Sequence, residues 1–388
     1  MREQSARTAG LFHQEPFRIF FPLGLLLGAT GVLLWPLYYA HLIAVYPATP
    51  HMRLMIEGLM GSFVVGFLGT AGPRLLDAKP LGAGEVGALL VLQLGSACCH
   101  LLRLQVLGDT LFLALLLFFI FTLVRRRTAQ SDRPPPGFLL VLGGLLNAIA
   151  GVLLILLSGQ SLFADQFGRL LLEEGFILFP LLGVGVFFFP KLLEGETEAP
   201  INPQVGAALW RRGAALAAGC AAALWISFLL ETLDWTRSAA VLRGLTTLFY
   251  FVTQGHLFRR GLKRTFLSRV FEFGAALLIA GLFLPAFLPT YRVANLHVVF
   301  LGGFSIILFT VSTRVILGHT GQSHLFRQRL RFLITALAFL VLAMLARISA
   351  DFFPVERSSH LIYAAFLWLL AAATWLWALG PRLSQSED

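Results

Sequence analysis

Residues 295–321 read NLHVVFLGGFSIILFTVSTRVILGHTG. His297 stands near one end, Arg314 and His319 near the other, and nothing between His297 and Arg314 is ionisable. A helix rises ~1.5 Å per residue and a bilayer's hydrocarbon core takes about 20 apolar residues, so the stretch predicts a membrane-spanning helix. Ionisable residues at membrane depth are costly and tend to mark a site. Histidine can also hold a metal or haem iron.

The rest of the chain has the same character. Of its 388 residues 57% are hydrophobic and 13% charged, and the mean hydropathy is +0.79. A soluble domain has about 45–50% apolar and about 25% charged residues, so an all-α, polytopic membrane protein is expected. Twelve spans are predicted, at roughly 17–40, 53–73, 82–102, 108–124, 138–158, 170–190, 206–230, 238–258, 267–288, 294–317, 328–347 and 359–380. The connectors are short, no internal repeat is convincing, and no soluble domain is visible. Residues 1–388 therefore read as one membrane domain of two six-helix halves, 1–190 and 205–388, joined by the linker 191–204. The polar first 16 residues lack the apolar core of a cleavable signal peptide.

Basic residues predict the orientation. The N-terminal tail, the even-numbered connectors and the C-terminal tail, with their flanks, hold 22 of the 30 Lys and Arg, which places both termini in the cytoplasm. Arg125–Arg127 and the group Arg259, Arg260, Lys263 and Arg264 carry much of this signal. The net charge of +10 is thus topogenic and headgroup-facing, the partner is the lipid bilayer, and no nucleic acid is expected. Cys98, Cys99 and Cys220 form no C-x-x-C or C-x-x-C-H pattern and read as packing residues.

With this orientation His41, His51, His100, His297 and His360 lie near the outer face, and His13, His256, His319 and His324 near the cytoplasmic face. His297 and His319 are 22 residues apart, about 33 Å along a helix, and cannot share one metal. His51 is the leading partner for His297. Met55 lies one turn from His51, and imidazole with thioether suits copper(I) or a low-spin haem iron. Arg53 and Glu57, four apart, can neutralise each other, as can Arg269 and Glu272, three apart. Glu173, Glu174, Glu231 and Asp234 read as solvated acids at span ends. Gln93 and Asn147 read as interhelical hydrogen-bonding residues, and Gly24 and Gly28 as close helix contacts. No Walker A, GxGxxG, HExxH or GxSxG motif is present, so no reaction class is specified.

Three stretches together resemble the NnrS family of bacterial membrane proteins. They are EPFRIFFPLGLLLGATGVLLW from Glu15, HMRLMIEGLMGSFVVGFLGTAGPR from His51, and LHVVFLGGFSIILFTVSTRVILGHTGQ from Leu296. The resemblance implies a twelve-span inner-membrane protein with haem b and copper, associated with nitric oxide and nitrosative stress. Carried over by position, His51 matches the first histidine of the family's HAHEM element, and His297, Arg314 and His319 match its LHxxxxGxxGxMxLxVMxRxxLGHTGR signature. Arg53 and Leu54 stand where that element has its second histidine and its glutamate, so one ligand is missing. The expected site is therefore a haem centre near the outer face. Its cofactor-binding residues would be His51, His297, Arg53 and Arg314, with His51, His297, Met55 and His319 as metal ligands and nitric oxide as the small ligand. Arginine enters because guanidinium binds carboxylates, including haem propionates, bidentately. The alternative is a transporter, sensor or scaffold whose histidines are structural or proton-handling.

Overall fold

A computed structural model describes residues 10–126, 133–194, 205–258 and 264–385. Arg127, Arg259, Arg260 and Lys263 of the basic clusters, and 195–204 of the linker, lie outside the described residues. Among the described residues the secondary structure is entirely helical. The helices are α1 (Phe17–Tyr39), α2 (Ala48–Leu75), α3 (Ala83–Leu101), α4 (Gln105–Val124), α5 (Phe138–Leu157), α6 (162–194), α7 (Ala207–Thr232), α8 (Thr236–Thr253), α9 (Phe266–Phe287), α10 (Pro289–His319), α11 (Arg331–Phe352) and α12 (Arg357–Leu379). Ten of them are long and apolar enough to cross a membrane, and α6 and α8 are not among the ten. In α8 the lower hydropathy has a visible cause, since Arg237, Arg243 and four threonines dilute an 18-residue helix.

Two of the ten are central. In α2 and α10, 78% and 72% of the most apolar window is buried, against between 33% and 56% for the other eight. Residues 170–180 of α6 are also buried throughout. These three helices share a further property: each widens into a π-helix, at Leu54–Met60, Leu170–Gly175 and Val298–Ser305. A π-turn misaligns backbone carbonyls and often occurs at functional sites. In α2 the displaced acceptors are met from α3, where Gln93 Nε2 donates to the carbonyls of Glu57 (2.8 Å) and Gly58 (3.4 Å).

Consecutive helices pack on one another around the bundle. The pairs α3–α4, α7–α8 and α11–α12 are antiparallel neighbours. The same succession continues as α4 against α5, α8 against α9 and α12 against α1, so the last helix closes on the first. Trp368 of α12 lies against Gly28 of α1, where a Cβ would stand 2.8 Å from its ring. Gly31 likewise lets α2 approach, with a Cβ there only 3.1 Å from that of Leu54. Small residues at such crossings allow the close van der Waals packing that holds membrane helices together. Asn147 has the expected interhelical role, accepting from Trp225 Nε1 at 2.6 Å. Glu272 does not pair with Arg269 as its spacing suggested. It meets Arg264 at 2.6 Å, in the segment leading into α9.

Candidate functional site

At the end of the bundle away from the termini, His51 and His297 are held in the same way. The close approach at Gly31 brings His51 Nδ1 to 3.0 Å from the Gly31 carbonyl. His297 Nδ1 lies 2.7 Å from the carbonyl of Val293, one turn earlier in α10. A carbonyl only accepts, so each Nδ1 carries the proton and each Nε2 keeps its lone pair. Neither Nε2 has a hydrogen bond among the described residues. The two imidazoles are within electrostatic range of one another, and Arg347 of α11 is within range of both. Arg347 pairs with Asp351 at 3.2 Å. The edge of Trp35 packs on His51 with ring centroids 5.8 Å apart, and Met55 Sδ stands 3.6 Å from where a Gly31 Cβ would be.

A second polar cluster lies between α2, α3 and α4. Arg53 bridges two carboxylates, with Nε 2.9 Å and Nη2 3.0 Å from the Asp109 oxygens and Nε 3.4 Å from Glu57. The expected Arg53–Glu57 pair is present, and Asp109 is its closer partner. His100 Nε2 is 3.0 Å from Glu57 Oε2, and His100 Nδ1 is 2.7 Å from Gln105 Oε1. All four of Arg53, Glu57, His100 and Asp109 are buried.

The acids Glu173, Glu174 and Glu231, expected in solvent, are turned inward instead. Arg243 of α8 meets Glu174 at 2.7 Å and Glu231 at 2.6 Å, and Arg292 at the start of α10 reaches Glu231 at 3.3 Å. A buried guanidinium needs carboxylates, and the π-segment of α6 delivers Glu174 to it. Glu173 is 8% exposed, and Arg53 and Arg292 are within electrostatic range of it.

The opposite end holds a different network. Arg18, 2% exposed, donates from Nε to Glu15 at 2.7 Å and from Nη1 to the carbonyls of Leu383 (2.8 Å) and Gln385 (2.7 Å). His319 Nδ1 is 2.7 Å from Glu15 Oε1, and Arg74 also pairs with that oxygen. Burial acts to raise the Glu15 carboxyl, but His319 and Arg18 outweigh it and hold it at about 2 instead of 4.5. Arg314 stacks on Phe326 at 4.5 Å from the ring centroid.

The structure thus brings His51 and His297 to one region with Met55 beside it, while Arg53 is engaged with Glu57 and Asp109. Arg314 and His319 lie in the terminus-bearing part of α10. His100, Asp109, Arg243 and Glu15 were not singled out in the sequence as site residues. Asp109 carried a signal, being the one charged residue in the apolar run Gln105–Val124. Between α1, α2, α6 and α10 lies a cavity of about 120 Å³, lined almost wholly by apolar side chains including Phe21, Phe63, Phe67 and Phe304.

A family model described as NnrS protein matches residues 11–386, nearly the whole chain. No curated protein matches it.

Proposed function

Because the chain belongs to the NnrS family, we propose that it is an inner-membrane protein that binds haem b between α2 and α10 and engages nitric oxide there. In this reading α6 and α8 also span the bilayer, giving twelve spans, and both termini are cytoplasmic, in keeping with the basic-residue count.

One observation carries the haem assignment. His51 and His297, on different central helices, both use Nδ1–H on a backbone carbonyl and keep Nε2 as a neutral donor. That second hydrogen bond fixes the tautomer and orients a ligating imidazole. The donor chemistry fits haem iron, which His51 and His297 would hold through Nε2. Arg347, paired with Asp351 and within electrostatic range of both rings, would be the nearby guanidinium for the propionates. Haem iron, when bound, supplies redox chemistry and, with one imidazole released, would offer a site to a diatomic ligand. The Met55 thioether against Gly31 is the soft donor a copper(I) ion would take beside His51. The apolar cavity of about 120 Å³ suits a small uncharged molecule arriving from the lipid, since dry apolar cavities of about 150 Å³ take up xenon or benzene.

The purified protein, expressed with ample haem, should show a Soret band. His51→Ala and His297→Ala should each shift or abolish it, while the folded yield stays measurable. A colourless wild-type preparation would refute the reading and favour histidines that are structural or proton-handling.

A further inference from the structure

The cluster around Glu57 lies apart from the histidine pair and has the composition of a metal site. Its three candidate donors come from three helices, Glu57 on α2, His100 on α3 and Asp109 on α4, and none is more than 3% exposed. One ligand atom from each can be chosen so that all three lie within 4.8 Å of one another. Donors to one first-row cation at about 2.0–2.2 Å stand roughly 3–4 Å apart. A sub-ångström closure of side chains would therefore complete the set.

The imidazole is already oriented for the task. Gln105 Nε2 donates to the His100 carbonyl at 3.4 Å, which turns its Oε1 to His100 Nδ1 at 2.7 Å. Nδ1 therefore carries a proton. Nε2 points at Glu57 Oε2 (3.0 Å) and Asp109 Oδ1 (3.8 Å). An imidazole whose far nitrogen donates to an oxygen while the near one faces carboxylates has the usual outer-shell arrangement of a metal-bound histidine.

Two further observations point to a cation. Glu57 Oε1 and Asp109 Oδ1 are fully buried and meet Arg53 Nε at 3.4 and 2.9 Å, but outside hydrogen-bond geometry. Charge leads to the same conclusion. The connected acids Glu57, Asp109, Glu173, Glu174 and Glu231 face the guanidiniums of Arg53, Arg243 and Arg292. With Arg169 also within range of Glu173, the acid groups still outnumber the guanidiniums in this buried region, and a bound cation would offset the excess.

We propose that Glu57, His100 and Asp109 bind one divalent first-row metal ion of the zinc class. Two carboxylates and one imidazole are a hard-to-borderline donor set, suited to Zn²⁺, Fe²⁺ or Mn²⁺ and poorly suited to copper(I), which prefers sulfur. The site is independent of the haem reading, shares no ligand with it, and is tested separately.

The experiment uses the full-length protein in detergent, stripped with a chelator, with Zn²⁺ binding followed by calorimetry and Co²⁺ binding by visible absorption. The wild type should take up one Zn²⁺ per chain, and Co²⁺ should give the intense ligand-field bands of a low-coordinate N/O site. His100→Gln and Asp109→Asn should each weaken Zn²⁺ binding at least about 100-fold, and Gln105→Leu, which removes only the orienting bond, roughly 10–100-fold. Any Soret band should stay unchanged in these variants, and His297→Ala should retain Zn²⁺. A wild type that binds no Zn²⁺, or gives only the weak spectrum of hydrated Co²⁺, overturns the proposal without reference to any variant. Zn²⁺ binding indifferent to His100→Gln and Asp109→Asn also overturns it.

Discussion

Glu15→Gln should destabilise the protein at neutral pH and lose that effect in acid. Glu15 accepts from Arg18 and Arg74 and faces His319 at 2.7 Å. It thereby ties α1 to the ends of α2 and α10, while Arg18 holds the carbonyls of Leu383 and Gln385. Burial opposes its ionisation, yet these partners hold the carboxyl at about 2 instead of 4.5. Each decade of proton affinity is about 1.4 kcal/mol, so the ionised form contributes roughly 3 kcal/mol at most. Solvent at the edge of the bundle screens part of this, leaving roughly 2 kcal/mol. The sign follows from the depressed value: the stabilisation is complete above 4.5 and is lost as the pH falls from 4.5 to about 2. Thermal or denaturant unfolding of wild type and Glu15→Gln in one detergent, at about pH 7 and at about pH 3, measures it. The variant should be weaker by roughly 2 kcal/mol at the higher pH, and the gap should narrow at the lower one. A gap that is absent at neutral pH, or that widens in acid, would show that Glu15 does not act as an ionised clamp.

Other substitutions separate central contacts from lipid-facing ones. Arg243→Met strands Glu174 and leaves Glu231 with Arg292, and should cost about 3–5 kcal/mol in detergent unfolding, as for other broken buried pairs. Gly28→Ala puts a methyl 2.8 Å from the Trp368 ring and should cost about 1–3 kcal/mol, with Trp377→Ala, 81% exposed, as a control of small effect. Asn147→Leu removes the acceptor of Trp225 and should cost about 0.6–2 kcal/mol in the same assay.

Local patterns of the chain were legible, and its long-range partners were not. An apolar run announces a helix because hydropathy is a property of neighbours, which is why α1, α4, α5 and α10 stand close to where the sequence places them. The Arg53–Glu57 pair was legible too, because four residues make one helical turn. Asp109 lies 56 residues from Arg53, and Arg243 lies 69 from Glu174, so no periodicity connects them. The same blindness made Glu173 and Glu174 look like solvated span-end acids, because burial at that depth depends on α5, α7 and α8 packing against α6. Glu272 shows the reverse error. A nearby arginine at helical spacing suggested itself, while the chain folds Arg264 back onto the carboxylate.

The stretches that identify the family serve both ends of the bundle: His51, Arg53, Glu57 and His297 lie in the second and third and contribute to the far end. Glu15 and Arg18 open the first, Arg74 closes the second and His319 closes the third, and all four meet at the terminus-bearing end. Their contacts are specific in type: a carboxylate shared by two guanidiniums and an imidazole, and a guanidinium spent on chain-terminal carbonyls. Changing any one leaves a buried partner uncompensated, so the network constrains sequence strongly while requiring no ligand. The far end works differently. His51 and His297 each satisfy only one nitrogen internally, and Glu57 and Asp109 each keep a buried oxygen that meets Arg53 without hydrogen-bond geometry. Polar groups left short of partners in a bundle this apolar are costly unless something else completes them. Ligands are therefore to be sought at the π-segments of α2, α6 and α10, and the signature histidine His319 belongs with the clamp that joins the two ends of the chain.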